Sequence, residues 1–318
     1  MAEGTRVNFD LSEDQEALRE GIRALCAGRF GMERVRAGFD ASTFSELDET
    51  GVFSLRTDGF GWADAGIAFS ELGRALVPGP LVWSHLAHGV VEGVVTGVEL
   101  PSDGSGPIAI EHLEVADTVV VADTNGLRRL APGSVSDARP VEWPLDPLTP
   151  VHLVDALPTG APIGDAADAL AWRRGGAVLT SAYQVGMATA SVEAATAYAL
   201  ERRQFDRPIG SFQAVKHILA DMVVRAELAR AAVDAAAVTL DDPAVGDVDR
   251  AISGARILAT EAALKNAKDS MQVHGGMGFT WEVDVHLYLK RAWLLNTTFG
   301  TAAAHADALA AGLQPGVQ

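Results

Sequence analysis

The sequence predicts a mainly α-helical protein with a small β middle domain. Two long stretches of helical periodicity flank a central group of short β-branched runs, and the second stretch holds four helical patterns joined by short connections, as in an antiparallel bundle. The expected domains are an N-terminal helical domain over 1–100, a reduced β domain over 101–165 and a C-terminal helical bundle over 166–318.

The first element is "FDLSEDQEALREGIRALCAGRF". Ser12 reads as an N-cap with Gln15 as its capping-box partner, and Leu18, Ile22, Leu25 and Cys26 fall on one helical face. Further helices follow to about residue 100, punctuated by glycine and proline, and "PSDGSG" reads as a linker. In the middle domain "PIAIE", "ADTVVVAD" and "TPVHLVDAL" read as strands, with "DTNG" supplying an Asn-Gly hairpin turn. A unit of roughly 60 residues rarely stands without staples, so it is expected to lean on the helices. From about residue 168 the helical pattern returns. Val185, Ala188, Val192, Ala195 and Tyr198 form one stripe, and Phe212, Val215, Leu219, Met222 and Ala226 form a second. A third helix is expected over about 248 to 273, and a fourth after "QVHGGMGF". Trp62, Trp83 and Trp172 read as core or interface anchors.

Composition excludes several classes. The 318 residues, 48% of them hydrophobic, support a large core. A formal charge of −17, with only four lysines among 25 basic residues, argues against a nucleic-acid surface, which needs clustered cations. Cys26 is the one cysteine, which excludes an internal disulfide and a cysteine-built metal cage. No cluster of His, Asp and Glu has metal-ligand spacing. No run of about 18 uncharged apolar residues occurs, and "MAEGTRVNFD" lacks the apolar core of a secretory signal, so a cytoplasmic protein without a membrane partner is expected.

Two corners of the bundle carry chemical information. In "ERRQFDRPIGSFQ" Arg202 ends one helix, Pro208 and Gly210 force a turn, and Ser211 is placed to cap the next helix. An arginine fork beside a helix N-terminus suits an anion, although alone it reads as arginines complementing a helix C-terminus. In "QVHGGMGF" the glycines Gly275, Gly276 and Gly278 permit close backbone approach to a ligand, but a helix precedes them, unlike the strand-then-helix nucleotide fingerprints. His274 contacts a ligand or caps the helix; Lys216 and His217 read as a solvated face.

Together these segments resemble the C-terminal domain of the acyl-CoA dehydrogenase flavoprotein family, whose pattern is Arg, two residues, Phe-Gly, a later Phe-Gln, then Gln-x-x-Gly-Gly-x-Gly. "NFDLSEDQEALRE", "SELGRALVPGPL" and "LDPLTPVHLVDA" are similar to other segments of that family, so the likeness covers most of the chain. It implies an acyl-CoA dehydrogenase-like fold and an FAD cofactor. It also implies that Arg202, Phe205 and Gln213 act on the FAD of a neighbouring subunit, that Gln272, Gly275, Gly276 and Gly278 pass near the pyrophosphate or adenine, and that Thr301 is a further cofactor-binding residue. One departure is Asp206, where the family has glycine; its carboxylate would repel phosphate or pair with Arg203 or Arg207.

Family chemistry removes the α-proton of an acyl-CoA with a glutamate while hydride leaves to flavin, so a positioned carboxylate is needed. The matching stretch here is "TFGT", residues 298 to 301, with Phe299 in the glutamate position. The other family position corresponds to "AWRRGGAVLT", which has no carboxylate; the nearby Asp165, Asp168 and Glu193 read as capping or solvated groups. The β segment also lacks the family's ring-binding stretches, "IAIEH" being the one remnant, and Trp143 sits beside a proline. The chain thus resembles the non-catalytic subunit of the actinobacterial heterotetrameric (α2β2) enzymes acting on steroid side-chain CoA thioesters. That resemblance implies a homologous partner subunit that supplies the base and the long β domain, an acyl-CoA substrate, and electron-transfer flavoprotein as acceptor. Alternatives are a homomeric dehydrogenase with another base and a non-enzymatic stabilising scaffold.

Overall fold

The computed structural model describes residues 10–100 and 108–312, so "MAEGTRVNF" and the "PSDGSG" linker lie outside the described residues. The N-terminal part holds α1 (Glu13–Arg29), α2 (Met32–Arg36), α3 (Ala41–Glu49), α4 (Trp62–Arg74) and α5 (Leu81–Ala87). Ser12 and Gln15 form the capping box on α1, and Ile22 and Cys26 are its buried residues.

The middle part is two small sheets. One runs β1 (Val95–Glu99), β3 (Thr118–Asp123), β4 (Gly126–Leu130), β7 (Ala161–Gly164); the other runs β2 (Ile108–Glu111), β6 (Val151–Val154), β5 (Arg139–Pro140). Strand β1 starts ahead of residue 101 and pairs parallel to β3. The expected hairpin is present between β3 and β4, but Gly126 pairs with Asp123, so the turn residues are Thr124 and Asn125. The run "TVVVAD" is apolar throughout because both faces of β3 are buried. Val120 and Ala122 join the main core, while Val119 and Val121 face a separate cluster with Ile110, Leu130 and Val154. The β unit therefore does lean on the helices.

Helix α6 (Ala166–Glu201) begins at a capping box of Asp165 and Asp168. A two-residue ribbon, β8 (Arg203–Gln204) and β9 (Arg207–Pro208), leads to α7 (Gln213–Asp241), α8 (Val248–His274), α9 (Val285–Leu295) and α10 (Ala302–Gly312). Glu193 pairs with Arg74, which fits its expected surface role. Between Gly175 and Ala188 α6 is buried all round, as a central helix must be. Its approach to α4 depends on glycine: a Cβ on Gly186 would lie 1.8 Å from the Ser70 carbonyl oxygen, and one on Gly73 would lie 2.0 Å from the Tyr183 carbonyl oxygen. Of the three tryptophans expected as core or interface anchors, Trp83 is buried, and Trp62 and Trp172 pack against the core partly covered.

Gly186→Ala is expected to force α4 and α6 apart and to cost about 1–3 kcal/mol, as overpacking does. Denaturant unfolding measures it, and an unchanged midpoint would show that the two backbones are not in contact.

Candidate functional site

The C-cap of α6, Arg202, has φ −67° and ψ 122°, which turns the chain out of the helix into the β8–β9 ribbon. Phe205 and Asp206 at its tip have φ 51° and 63°, so both central turn residues are left-handed, as a type I′ hairpin requires. This explains glycine as the ordinary residue at the Asp206 position, and why aspartate, which tolerates that region, is accepted. The expected pairing of the Asp206 carboxylate is not what forms: Arg203 Nη2 donates to the Asp206 carbonyl at 2.6 Å. Arg207 stacks 4.1 Å over Phe212, and Phe205 is left 86% exposed.

Ser211 does not cap α7. It ends the 3-10 turn Ile209–Ser211, and the N-cap is Phe212, which offers no side-chain acceptor. With no acidic residue in its first turn, α7 presents uncapped amides and an uncompensated positive dipole end beside Arg202. Arg202, Phe205 and Gln213 are exposed, and the Arg202 guanidinium forms no hydrogen bond or ion pair among the described residues. Gln213 Nε2 lies 3.3 Å from His217 Nε2 on the solvated face expected for His217.

The glycine motif lies at the same end of the bundle. Ala199, Ile209, Leu219, Met222 and Val273 form one apolar cluster, and Tyr198 of α6 stacks on His274 of α8 at 4.2 Å. His274 Nδ1 lies 2.8 Å from the Ser270 carbonyl, which can only accept, so that nitrogen carries the proton and His274 is structural. Gly275 ends α8 with φ 62° and ψ −139°, and a Cβ on Gly278 would come within 2.6 Å of the Met271 carbonyl. At Gly276, as at Gly275, no described residue other than its chain neighbours lies within 4 Å of where a Cβ would be. Gln272 is exposed beside it. The corner thus brings together Arg202, Phe205, Gln213, Gln272 and the glycines.

Phe299 and Thr301 lie elsewhere, in a cleft of about 770 Å³ between the β unit and the start of the bundle. From Ala177 on the cleft wall to Arg202 is 25 residues along α6, roughly 37 Å at 1.5 Å per residue. Thr301 caps α10 by accepting from the Ala304 amide at 3.0 Å. Phe299 is buried, its φ is 50°, its ring lies 4.9 Å from that of Trp83, and a Cβ on Gly176 would come within 2.3 Å of it. Its backbone is held firmly. Arg256 donates to the carbonyls of Leu295, Thr298 and Gly300 at 3.1, 2.9 and 2.9 Å and to Gln184 Oε1 at 2.9 Å, while His305 Nε2 donates to the Phe299 carbonyl at 3.0 Å. Burial lowers Arg256 to about 10. The other cations of the cleft are engaged, Arg173 with Glu99 at 2.6 Å and Arg174 with Asp249 at 2.8 and 2.7 Å.

Behind Phe299 lies a junction that sequence reasoning missed. Arg291 on α9 pairs with Asp146 and donates to Tyr183 Oη at 3.0 Å, both members of the pair being fully buried. Glu111 and His112 face the same space. Burial, with a smaller push from Asp146, raises Glu111 to about 7 against the opposing pull of Arg291; burial lowers His112 to about 3, so that ring is neutral. Arg256 and Arg291, each a cation on an otherwise apolar helix face, were the available signals. Among the described residues no group of three or more His, Cys, Asp and Glu is placed to hold a metal, and no helix is long and apolar enough to cross a membrane.

A helical layer, a small β unit and a long helical bundle define the fold, and solved structures share that fold. The ChsE4–ChsE5 complex from Mycobacterium tuberculosis matches with a TM-score of 0.82 at 22% identity, covering 97% of this chain and 100% of that one. A Tcur3481–Tcur3483 steroid ACAD variant matches at 0.78 and 21%, covering 94% and 97%. Residues 166–314 match the family model described as acyl-CoA dehydrogenase, C-terminal domain. Acyl-CoA dehydrogenase IpdE2 of M. tuberculosis is 33% identical over 88% of this chain and 91% of its own length, and that of Mycolicibacterium smegmatis is 31% identical over 89% and 93%. The chain belongs to the acyl-CoA dehydrogenase family of FAD-dependent oxidoreductases.

Glu111 carries in the native state a proton that it loses on unfolding between its ordinary 4.5 and about 7. Its destabilising effect is therefore absent below about pH 4.5 and complete above about pH 7. Glu111→Gln is expected to raise stability at about pH 8 by up to about 3 kcal/mol and to leave it unchanged near pH 4. Unfolding curves at the two pH values decide it, and an equal shift at both would remove Glu111 as the titrating group. Asp146→Ala, which strands the Arg291 charge, is expected to cost about 3–5 kcal/mol in the same assay.

Proposed function

We propose that this chain is the non-catalytic subunit of a heteromeric FAD-dependent acyl-CoA dehydrogenase. In this reading the corner closes over the distal part of an FAD held by a homologous partner, and the partner supplies the base that takes the α-proton. The observation that carries the reading is the unspent guanidinium of Arg202. It stands beside the uncapped N-terminus of α7 and the open face of Gly276, roughly 37 Å along α6 from the chain's own cleft. One flavin dinucleotide does not reach from the one to the other, so the corner serves a cofactor centred in another chain.

The residues present fit one end of FAD and not the other. Arg202 and the α7 amides offer charge-assisted donors to pyrophosphate, Gly276 leaves room for a close backbone approach, and Phe205, Gln213 and Gln272 stand exposed around them. At the cleft, Phe299 fills the position where a carboxylate would act, and Arg173 and Arg174 are neutralised within the chain. Thr301, spent in capping α10, has a hydroxyl that borders the cleft and supports the loop. FAD supplies hydride acceptance when bound; this chain's part is to bind the dinucleotide end and hold the partner's site closed. A bulky acyl group, as in the steroid ACAD that shares the fold, fits the reading, with electron-transfer flavoprotein as acceptor and an α2β2 assembly.

Purified alone, the chain is expected to carry no FAD, and co-expressed with its homologous partner to give a yellow complex. In that complex Arg202→Ala should weaken FAD binding by about tenfold or more, the loss of a charge-assisted contact of roughly 1.5–3 kcal/mol. Flavin absorbance per mole of complex reads this out. Unchanged flavin content would leave the chain as a scaffold, and one FAD per chain without a partner would make it a homomeric dehydrogenase.

A further inference from the structure

A pocket of about 120 Å³ opens where the N-terminal helices meet the bundle, bordered by Arg19 of α1, Ile67 and Ser70 of α4, Val185 of α6, and Arg230 and Asp234 of α7. It shares no bordering residue with the cleft or with the space behind Phe299. Val185 precedes Arg202 by 17 residues on α6, roughly 26 Å, so the pocket is also separate from the corner. Arg230 and Asp234 stand one turn apart on α7, the spacing at which opposite charges ordinarily meet, yet they form no ion pair. Arg230 turns back instead, its Nη2 lying 3.5 Å from Glu227 and 3.4 Å from the Thr189 hydroxyl, and its Nε is buried without a hydrogen-bond partner. The Nε of Arg19 is buried and unpartnered in the same way, although its Nη2 pairs with Glu16. Among the described residues neither the Asp234 carboxylate nor the Ser70 hydroxyl makes a hydrogen bond. Burial raises Asp234 to about 6, with Arg230 pulling the other way, so at pH 8 it is an unpaired carboxylate. Buried donors are seldom left open, and here two of them belong to residues that share one pocket with a free carboxylate.

The charge arrangement selects the guest. Glu71, which also borders the pocket, is already matched by Arg23 at 2.9 and 2.6 Å, so the groups left to a ligand are the guanidinium edges of Arg19 and Arg230 and the carboxylate of Asp234. A lone anion would face Asp234, and a lone cation would face both guanidiniums. A zwitterion avoids both repulsions: its carboxylate accepts from Arg230 Nε, and its ammonium donates to Asp234 and to the Ser70 hydroxyl. Side chains one turn apart on a helix are about 5–6 Å apart at Cβ, a span that the adjacent ammonium and carboxylate of an α-amino acid can bridge. Ile67 and Val185 add an apolar wall suited to a short aliphatic side chain. At about 15 Å³ for each water, the pocket has room for roughly eight, which is the scale of a small amino acid.

We infer that this pocket binds a small aliphatic α-amino acid as its zwitterion, the carboxylate on Arg230 and the ammonium on Asp234. The inference does not rest on the partner reading and is tested on the full chain alone at pH 8. The probes are L-valine, isovalerate, which lacks the ammonium, and isobutylamine, which lacks the carboxylate. Each is titrated by ligand-observed NMR into the wild-type chain, Asp234→Asn and Arg230→Met. Wild type is expected to bind L-valine at least about tenfold more tightly than either analogue, one charge-assisted contact's worth. Asp234→Asn, which keeps the side-chain shape, is expected to erase the preference over isovalerate, and Arg230→Met the preference over isobutylamine. If one variant does not fold, the other carries its half of the comparison. No L-valine binding, equal affinity for the three probes, or a wild-type preference that survives in either variant would overturn the inference, the first of these showing a pocket that holds only water.

Discussion

The buried ion pair between Asp146 and Arg291 is the joint on which the rest of the molecule depends. Asp146 also accepts from the Leu148 amide at 3.0 Å and the Thr149 hydroxyl at 2.8 Å, so it shapes its own loop in the β unit. Arg291 belongs to α9 in the bundle and reaches Tyr183 on α6, whose hydroxyl in turn donates to the Val77 carbonyl at 2.9 Å in the N-terminal part. A charge this deeply buried tolerates no loss of its partner, so this desolvated contact fixes how the three parts of the chain meet within their shared apolar core. The β unit, too small to stand by itself, acquires its position from this pair and from the apolar faces of β3.

That arrangement separates two places with different chemistry. Because α4 and α6 touch backbone to backbone at Gly73 and Gly186, α6 runs through the core as one 36-residue rod. Its beginning forms the cleft wall and its end forms the corner. In the cleft, the charges are consumed within the chain: Arg173, Arg174 and Arg256 all have partners, and the loop bearing Phe299 is tied down by Arg256 and His305. At the corner the reverse holds. The Arg202 guanidinium, the first amides of α7 and the space beside Gly276 are left without partners from this chain, and the left-handed ribbon tip extends Phe205 into solvent. Polar groups satisfied internally build structure, whereas those of the corner stay open to solvent.

The Phe299 loop holds a side chain that cannot accept a proton on a firmly fixed backbone. The three successive carbonyls from Thr298 to Gly300 are each satisfied, and the left-handed backbone at Phe299 and Gly300 is held, yet the side chain presented is an aromatic ring packed on Gly176 and Trp83. Sequence alone places a residue without a titratable group there. The structure adds that the ring is wedged between two cavities, one of which keeps a carboxylate, Glu111, of raised proton affinity.

Much of this was legible from the chain itself, and for local reasons. Helix identities, the capping boxes of α1 and α6, the β-branched strands and the two motif corners all depend on residues within a few positions of one another, so periodicity and turn chemistry specify them. Local chemistry still misplaced two details, the Ser211 cap and the Asn-Gly turn, since the exact residue that ends a helix or closes a hairpin is chosen by the ladder that continues from it. What only the tertiary structure decided is non-local: the Asp146–Arg291 pair joins residues 145 positions apart, the Arg256 clamp draws on α6 and the loop after α9, and the distance from cleft to corner is set by the length of α6 once its partners are packed. A buried arginine in an apolar stripe announces that a partner exists, but which carboxylate or carbonyl answers it is fixed only when desolvation leaves one geometry in which every charge is paired.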